Sequence, residues 1–178
     1  MALDYNSPEY LTFIRAVGKE QLDEVERHLV EYPELLDLAD DYGSGPLHWA
    51  AHNGHNFMIE LLLQRGSTAI DSVNKYGRTP LHFAAWKGHD STVKLLLQRG
   101  STSLNFPDSN GRTPLYFALW GGHDSTAKIL KAVGASISSF DKLTPEQIEK
   151  LQTSIPEEEI LEIRSRIYFI RSLTSCLL

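Results

Sequence analysis

Residues 77–89 read GRTPLHFAAWKGH, a run that holds two histidines, a tryptophan and a lysine. Such a density of polar and aromatic side chains suits a reactive centre, a metal site or a scaffold, and the rest of the chain decides between them. Residues 43–55 read GSGPLHWAAHNGH and residues 111–123 read GRTPLYFALWGGH, so the run recurs at a spacing of 34 residues. Six of its thirteen positions are identical in all three copies. The register carries on: LLLQRGST at 61–68 returns at 95–102, and KILKAVGAS at 128–136 is a looser third copy. A fixed period in this range marks a stack of like units.

Each unit has a physical reading. Thr79 is placed as a helix N-cap and Pro80 as the first helical residue, where a missing N–H costs nothing. Leu81, Ala84 and Ala85 give a short helix with one apolar face, and Gly88 ends it. A second helix is expected from about Asp90, carrying Val93, Leu96 and Leu97 inward at helical spacing. Gly100 is expected to close it as a left-handed cap. The following STSLNFPDSNG is rich in turn formers, so residues 67–78 and 101–112 are expected to project as hairpin-like loops. One such unit cannot bury its apolar face alone; stacked units share a core.

The threonine–proline–leucine–histidine helix start resembles that of the ankyrin repeat family. TPLHFAA at 79–85 matches it fully, GPLHWAA at 45–51 replaces the threonine with Gly45, and TPLYFAL at 113–119 replaces the histidine with Tyr116. The expected fold is an all-α ankyrin-like solenoid of helix–turn–helix units with projecting loops and divergent capping ends. Its expected division is a divergent leading unit over 1–42, three repeats over 43–142, and a divergent helical end over 143–178. In the leading unit SPEYLTFIRAV, Gly18, EQLDEVERHL and YPELLDLADDYG follow the order helix, glycine, helix, loop. In the trailing segment KLTPEQIEKL offers a helix start with a capping box at Thr144 and Gln147.

The resemblance also settles the histidines. His48, His52 and His55 have a helical spacing that suits metal ligands. Yet His48 and His82 share one repeat position, and His55, His89 and His123 share another. In the family these positions hold structural histidines that hydrogen-bond to the backbone, and His28 and His52 are left with no cysteine at ligand spacing. No metal ligand, cofactor or catalytic residue is assigned. The chain has no phosphate-cradling glycine loop, no GxSxG and no placed carboxylate pair.

Residues 1–42 carry 3 basic and 11 acidic side chains, residues 43–134 carry 9 and 5, and residues 135–178 carry 5 and 7; the net charge is −6. An acidic lead therefore precedes a mildly basic middle. That excess is too small for nucleic acid, which ranks well below a protein partner. The start MALDYNSPEY shows no apolar run, so no signal peptide is expected, and no stretch approaches a membrane span. The single cysteine, Cys176, allows no internal disulfide and favours a reducing compartment, cytoplasm or nucleus.

Positions that vary on a fixed scaffold are where specificity can live. In ankyrin-like stacks the loop tips and first helices line a concave groove. Carried over by position, the loop tips are Asp41, Tyr42 and Ser44, then Lys75, Tyr76 and Arg78, then Ser109, Asn110 and Arg112. The first helices add His52 and Asn53, Trp86 and Lys87, and Trp120 and Gly121. Trp49, Phe83 and Phe117 are expected to face the neighbouring helices, which turns Trp86 and Trp120 towards the open face. Trp86 and Trp120 are expected to set two aromatic platforms beside two cationic loop tips, Arg78 and Arg112, along one strip, none of the four needed for folding.

The expected function is a non-catalytic module that binds a protein partner, in particular an acidic segment, through this groove. The alternatives are a regulatory adaptor or secreted effector that takes a second partner on its final helix and, third, an enzyme with an unrecognised site. No small-molecule substrate is expected. In the end segment Ile160, Ile163, Ile167, Ile170 and Leu177 fall on one helical stripe, widened by Leu161, Tyr168, Phe169 and Leu173. That stripe either caps a monomer's last repeat or docks a partner, including a second copy of the chain.

Overall fold

A computed structural model describes residues 3–136, 144–145, 156–158 and 160–165. Among the described residues the structure is helical and contains no strand. Eight α-helices run in pairs: α1 (Pro8–Gly18) with α2 (Leu22–Glu31), α3 (Pro46–Asn53) with α4 (Asn56–Gln64), α5 (Pro80–Lys87) with α6 (Asp90–Gln98), and α7 (Pro114–Trp120) with α8 (Asp124–Ala132). A short 3-10 turn follows the second helix of the first three pairs, at Pro33–Leu36, Ala69–Asp71 and Ser103–Asn105.

Local chemistry sets these limits. Thr79 has extended backbone (φ −93°, ψ 168°) and Pro80 opens α5. At the other end Gly54 and Gly88 take left-handed φ of 76° and 71°, which turns the chain at once into the second helix. At Gly54 a Cβ would also stand 2.8 Å from Nδ1 of His89 in the next unit, so glycine is required there twice over. Gly100 has φ 98°, as expected for a terminating glycine, although the cap residue itself is Arg99, one position earlier.

First helices pack on first helices (α1 on α3, α3 on α5, α5 on α7) and second on second (α2 on α4, α4 on α6, α6 on α8). One continuous core runs between the two layers. Leu47, Ala50 and Ala51 of α3, Leu81, Ala84 and Ala85 of α5, and Leu115 and Ala118 of α7 are buried, facing Met58, Leu62, Val93, Leu96 and Leu130 of the second layer. The alanines let successive first helices approach closely while the leucines fill the space between layers. Beyond α8, Ile163 is buried against this core and Ile160 partly so, and the Arg164 Nε donates to the Ala132 carbonyl at 2.7 Å. This helical turn therefore covers the last repeat. The Thr144–Gln147 capping box, the stripe beyond Ser165 and Cys176 lie outside the described residues, wholly or in part.

Candidate partner-binding surface

The projecting loops are closed by a residue in 34-residue register. Asp40, Asn74 and Asp108 each place Oδ1 so that it accepts two backbone N–H groups, from Tyr42 and Ser44, Tyr76 and Arg78, and Asn110 and Arg112. Consecutive loops then join: Lys75 N–H donates to the Tyr42 carbonyl and Ser109 N–H to that of Tyr76, both at 2.8 Å. The loops are thus laid side by side by backbone bonds and do not project freely. A second register links unit to unit, through Asp37 accepting from Ser67 and Thr68, Asp71 from Ser101 and Thr102, and Asn105 from the Ser136 N–H. Burial would raise the Asp71 carboxyl, but the bonds from Ser101 and Thr102 outweigh it and hold it below its ordinary value.

The histidines are fixed in the same lattice. His82 is fully buried; its Nδ1 accepts the Thr79 N–H at 3.1 Å, which leaves Nε2 to donate to the Arg112 carbonyl at 3.3 Å. His48 does the same with the Gly45 N–H and the Arg78 carbonyl. Burial drives His82 down to about 4, so it is neutral at pH 7. His55, His89 and His123 reach back with Nε2 to the carbonyls of Gly18, His52 and Trp86 at 3.0–3.1 Å. These rings are struts between repeats, and among the described residues no three metal-ligating side chains gather.

Aromatic rings line the face shared by the first helices and the loops. His52 sits edge-on to Trp49, Phe83 and Trp86; Trp86 leans on Phe117 and on Trp120, each with ring centres 6.3 Å apart; Tyr42 and Tyr76 are near-parallel at 6.2 Å. Trp120 is 59% exposed, Tyr42 and Tyr76 are exposed, and His52 and Trp86 are half-buried. Lys87 holds its Nζ 5.2 Å above Trp86. Lys75 and Asn110 stand exposed at the loop edge. The rings bridge the gap between repeats, His52 against Trp86 and Trp86 against Trp120, and form one strip.

Two further expectations need correction. Trp49 and Phe83 do not simply face neighbouring helices. They are half-buried and, with Asp40, Tyr42, Tyr76 and Arg78, line a recess of about 270 Å³ between the loops of the first two repeats. Ser44, placed at a loop tip from the sequence, is buried and accepts from the Asn74 side chain at 3.1 Å.

Arg78 and Arg112 are not free cations. Both turn onto Asp108, whose side chain is fully enclosed: Arg112 reaches its Oδ2 at 2.7 Å and Arg78 at 3.4 Å. The guanidinium carbons also lie 5.0 and 4.8 Å from the Phe117 ring centre. Burial would raise the Asp108 carboxyl, but hydrogen bonds from the Arg112 side chain and backbone hold it low, and the same bonds push Arg112 further up. The triad keeps one net positive charge. These arginines therefore support the loop they were expected merely to decorate.

A family model for ankyrin repeats matches residues 13–105 and 69–141, in three copies. The chain belongs to the ankyrin repeat family. No curated protein matches it. Ankyrin repeats serve in general as protein–protein interaction modules and are typically non-catalytic. Among the described residues of this ankyrin protein, no helix is long and apolar enough to cross a membrane.

The register-spaced acids Asp40 and Asp108, and Asn74 between them, were visible in the sequence as a loop position. What they hold was not, because Arg78 meets an acid 30 residues on, in the following repeat. The signal that reveals such pairs is the chemistry of each position compared with that of the next unit.

Proposed function

We propose that the face built from the loop ladder and the first helices binds a segment of a partner protein. One observation carries this: two sets of exposed and half-exposed rings, Tyr42 with Tyr76 and Trp86 with Trp120, are bridged by the Arg78 guanidinium and flanked by Lys75, Lys87 and the rest of the net-positive Arg78–Asp108–Arg112 triad. Aromatic and arginine side chains are the ones enriched at binding hot spots. The remaining positive charge on the later repeats favours acidic side chains opposite Lys87 and the triad. The single cysteine supports a reducing compartment, the cytoplasm or nucleus, as the place of work.

The test uses side chains that do not hold the fold. Lys75, Tyr76, Lys87 and Trp120 are all exposed. The intact chain and its Lys75→Ala, Tyr76→Ala, Lys87→Ala, Trp120→Ala variant are used as bait, and captured proteins are compared by mass spectrometry at matched melting temperature. A partner lost only with the variant is the expected result. Equal capture by both baits puts the binding surface elsewhere on the molecule.

A further inference from the structure

One difference between successive repeats exposes an unfilled site. Between the second and third units the Arg78 guanidinium carbon lies 5.5 Å from the ring centre of Tyr76, 5.8 Å from Trp86 and 4.8 Å from Phe117, with Asp108 as its counter-charge. Moving back by one period of 34, the same positions are Tyr42, His52, Phe83 and Asn74, and the arginine becomes Ser44. Serine cannot reach over the rings. The space that a guanidinium fills in one interface is the recess lined by Tyr42, Phe83, Trp49 and Tyr76 in the other. At about 270 Å³ it lies just below the roughly 300–1,000 Å³ usual for small-molecule sites, which suits a single large side chain.

The recess also supplies a charge. Asp40 lies in its wall and, among the described residues, forms no ion pair. Its Oδ1 accepts the Tyr42 and Ser44 N–H groups and its Oδ2 accepts the Trp49 indole N–H at 3.3 Å. A carboxylate has about four acceptor sites, so one remains for an incoming donor. Arg78, the other charged residue of the wall, already has its charge on Asp108.

We infer that the recess between the first two repeats takes an arginine side chain of the partner, which stacks on the rings as Arg78 does on its own and donates to Asp40, the acid that holds in its loop the place Asp108 holds beside Arg112. This rests on the reading of the same face as a partner-binding surface, and it adds a register. Adjacent repeats lie about 10 Å apart, and an extended chain covers that in about three residues. The segment recognised is therefore an arginine with acidic residues about three positions away, towards Lys87 and the triad.

The probe is a short peptide with one arginine and a pair of glutamates about three residues on, with companions in which citrulline or trimethyl-lysine replaces the arginine. Binding to the full chain is followed by NMR at the Trp49 indole N–H and at the ring signals of Tyr42 and Phe83. The arginine peptide should shift these signals. Citrulline, the same shape without the charge, should bind roughly tenfold more weakly or worse. Asp40→Asn should cause a similar loss while the fold survives, because Asn74 already closes the next loop with the same two N–H bonds; only the long bond from the Trp49 indole N–H loses its acceptor, for a small drop in melting temperature. The double variant Ser44→Arg, Asn74→Asp should fill the recess from within and abolish the shifts. Equal binding of the arginine and citrulline peptides overturns the inference, and so does tighter binding of trimethyl-lysine. Shifts at Trp86 and Trp120 alone reject the recess and leave the partner-binding face standing; shifts at neither group reject both.

Discussion

Arg78→Ala together with Arg112→Ala should destabilise the protein by more than the two single changes combined. Asp108 is the reason, with its side chain 0% exposed and those of Arg78 and Arg112 exposed by 20% and 25%. Losing Arg112 removes the short 2.7 Å contact and a second at 3.1 Å, a loss of about 2 kcal/mol for charge-assisted bonds to a partly wet donor. Losing Arg78 removes one long contact at 3.4 Å, for about 1 kcal/mol. With both gone, the enclosed carboxylate has no cation, and the cost rises to about 4–5 kcal/mol, above the roughly 3 kcal/mol sum of the singles. The excess over the sum is the coupling of two cations through one acid. Adding Asp108→Asn to the double variant removes the orphaned charge while keeping the acceptor that closes the loop, as Asn74 does one repeat earlier. The triple variant should therefore regain about 2 kcal/mol over the double. Urea unfolding followed by far-ultraviolet circular dichroism measures the parent and all four variants. A triple variant no more stable than the double would show that the loss comes from uncovering Phe117, and the electrostatic account would fail.

Two other measurements follow from single residues. His82 is held at about 4 against an ordinary value of 6.5, so between these pH values the unfolded chain binds a proton that the folded chain refuses; stability falls on acidification across that window and levels off below it. The loss from His82 alone is about 3 kcal/mol, and His82→Ala should both lower stability at pH 7 by about 1–3 kcal/mol and remove about 1.4 kcal/mol per pH unit of slope; an unchanged slope would refute the assignment. Tyr10 is buried in the core and its hydroxyl has no hydrogen-bond partner among the described residues, so Tyr10→Phe should raise stability by about 1 kcal/mol in the same unfolding assay, and a fall would reveal a partner for the hydroxyl.

The stack was legible because its determinants are local and repeated. A threonine or glycine before Pro46, Pro80 and Pro114, a glycine at 54, 88 and 122, and leucines at helical spacing say the same thing three times at one period. Side-chain partners were less legible for a physical reason: they are set between units, at separations that include 30, 31, 36, 37 and 39 residues, none of which equals the period. Arg78 looked like a free cation because its acid belongs to the next unit. Trp49 and Phe83 looked like core because helical position fixes a direction, whereas exposure depends on the side chain opposite. At the position opposite Phe83 the chain carries Ser44, and opposite Phe117 it carries Arg78. Only the three-dimensional register shows that one of these places is filled and the other empty.

The histidine struts have a consequence for how the chain can be shortened or lengthened. His55, His89 and His123 each close on a carbonyl 37 residues earlier, and His48 and His82 each close on one 30 residues later. A unit that carries both histidines reaches the unit before it and the unit after it, so neither a single unit nor a pair of neighbours completes its own struts. Cutting anywhere within a unit strands donors on both sides of the break, whereas removing a whole period of 34 residues rejoins ends that already match. Growth and loss in such a chain are therefore quantised in whole repeats, and a nascent chain can complete the struts of one repeat only after its successor has left the ribosome.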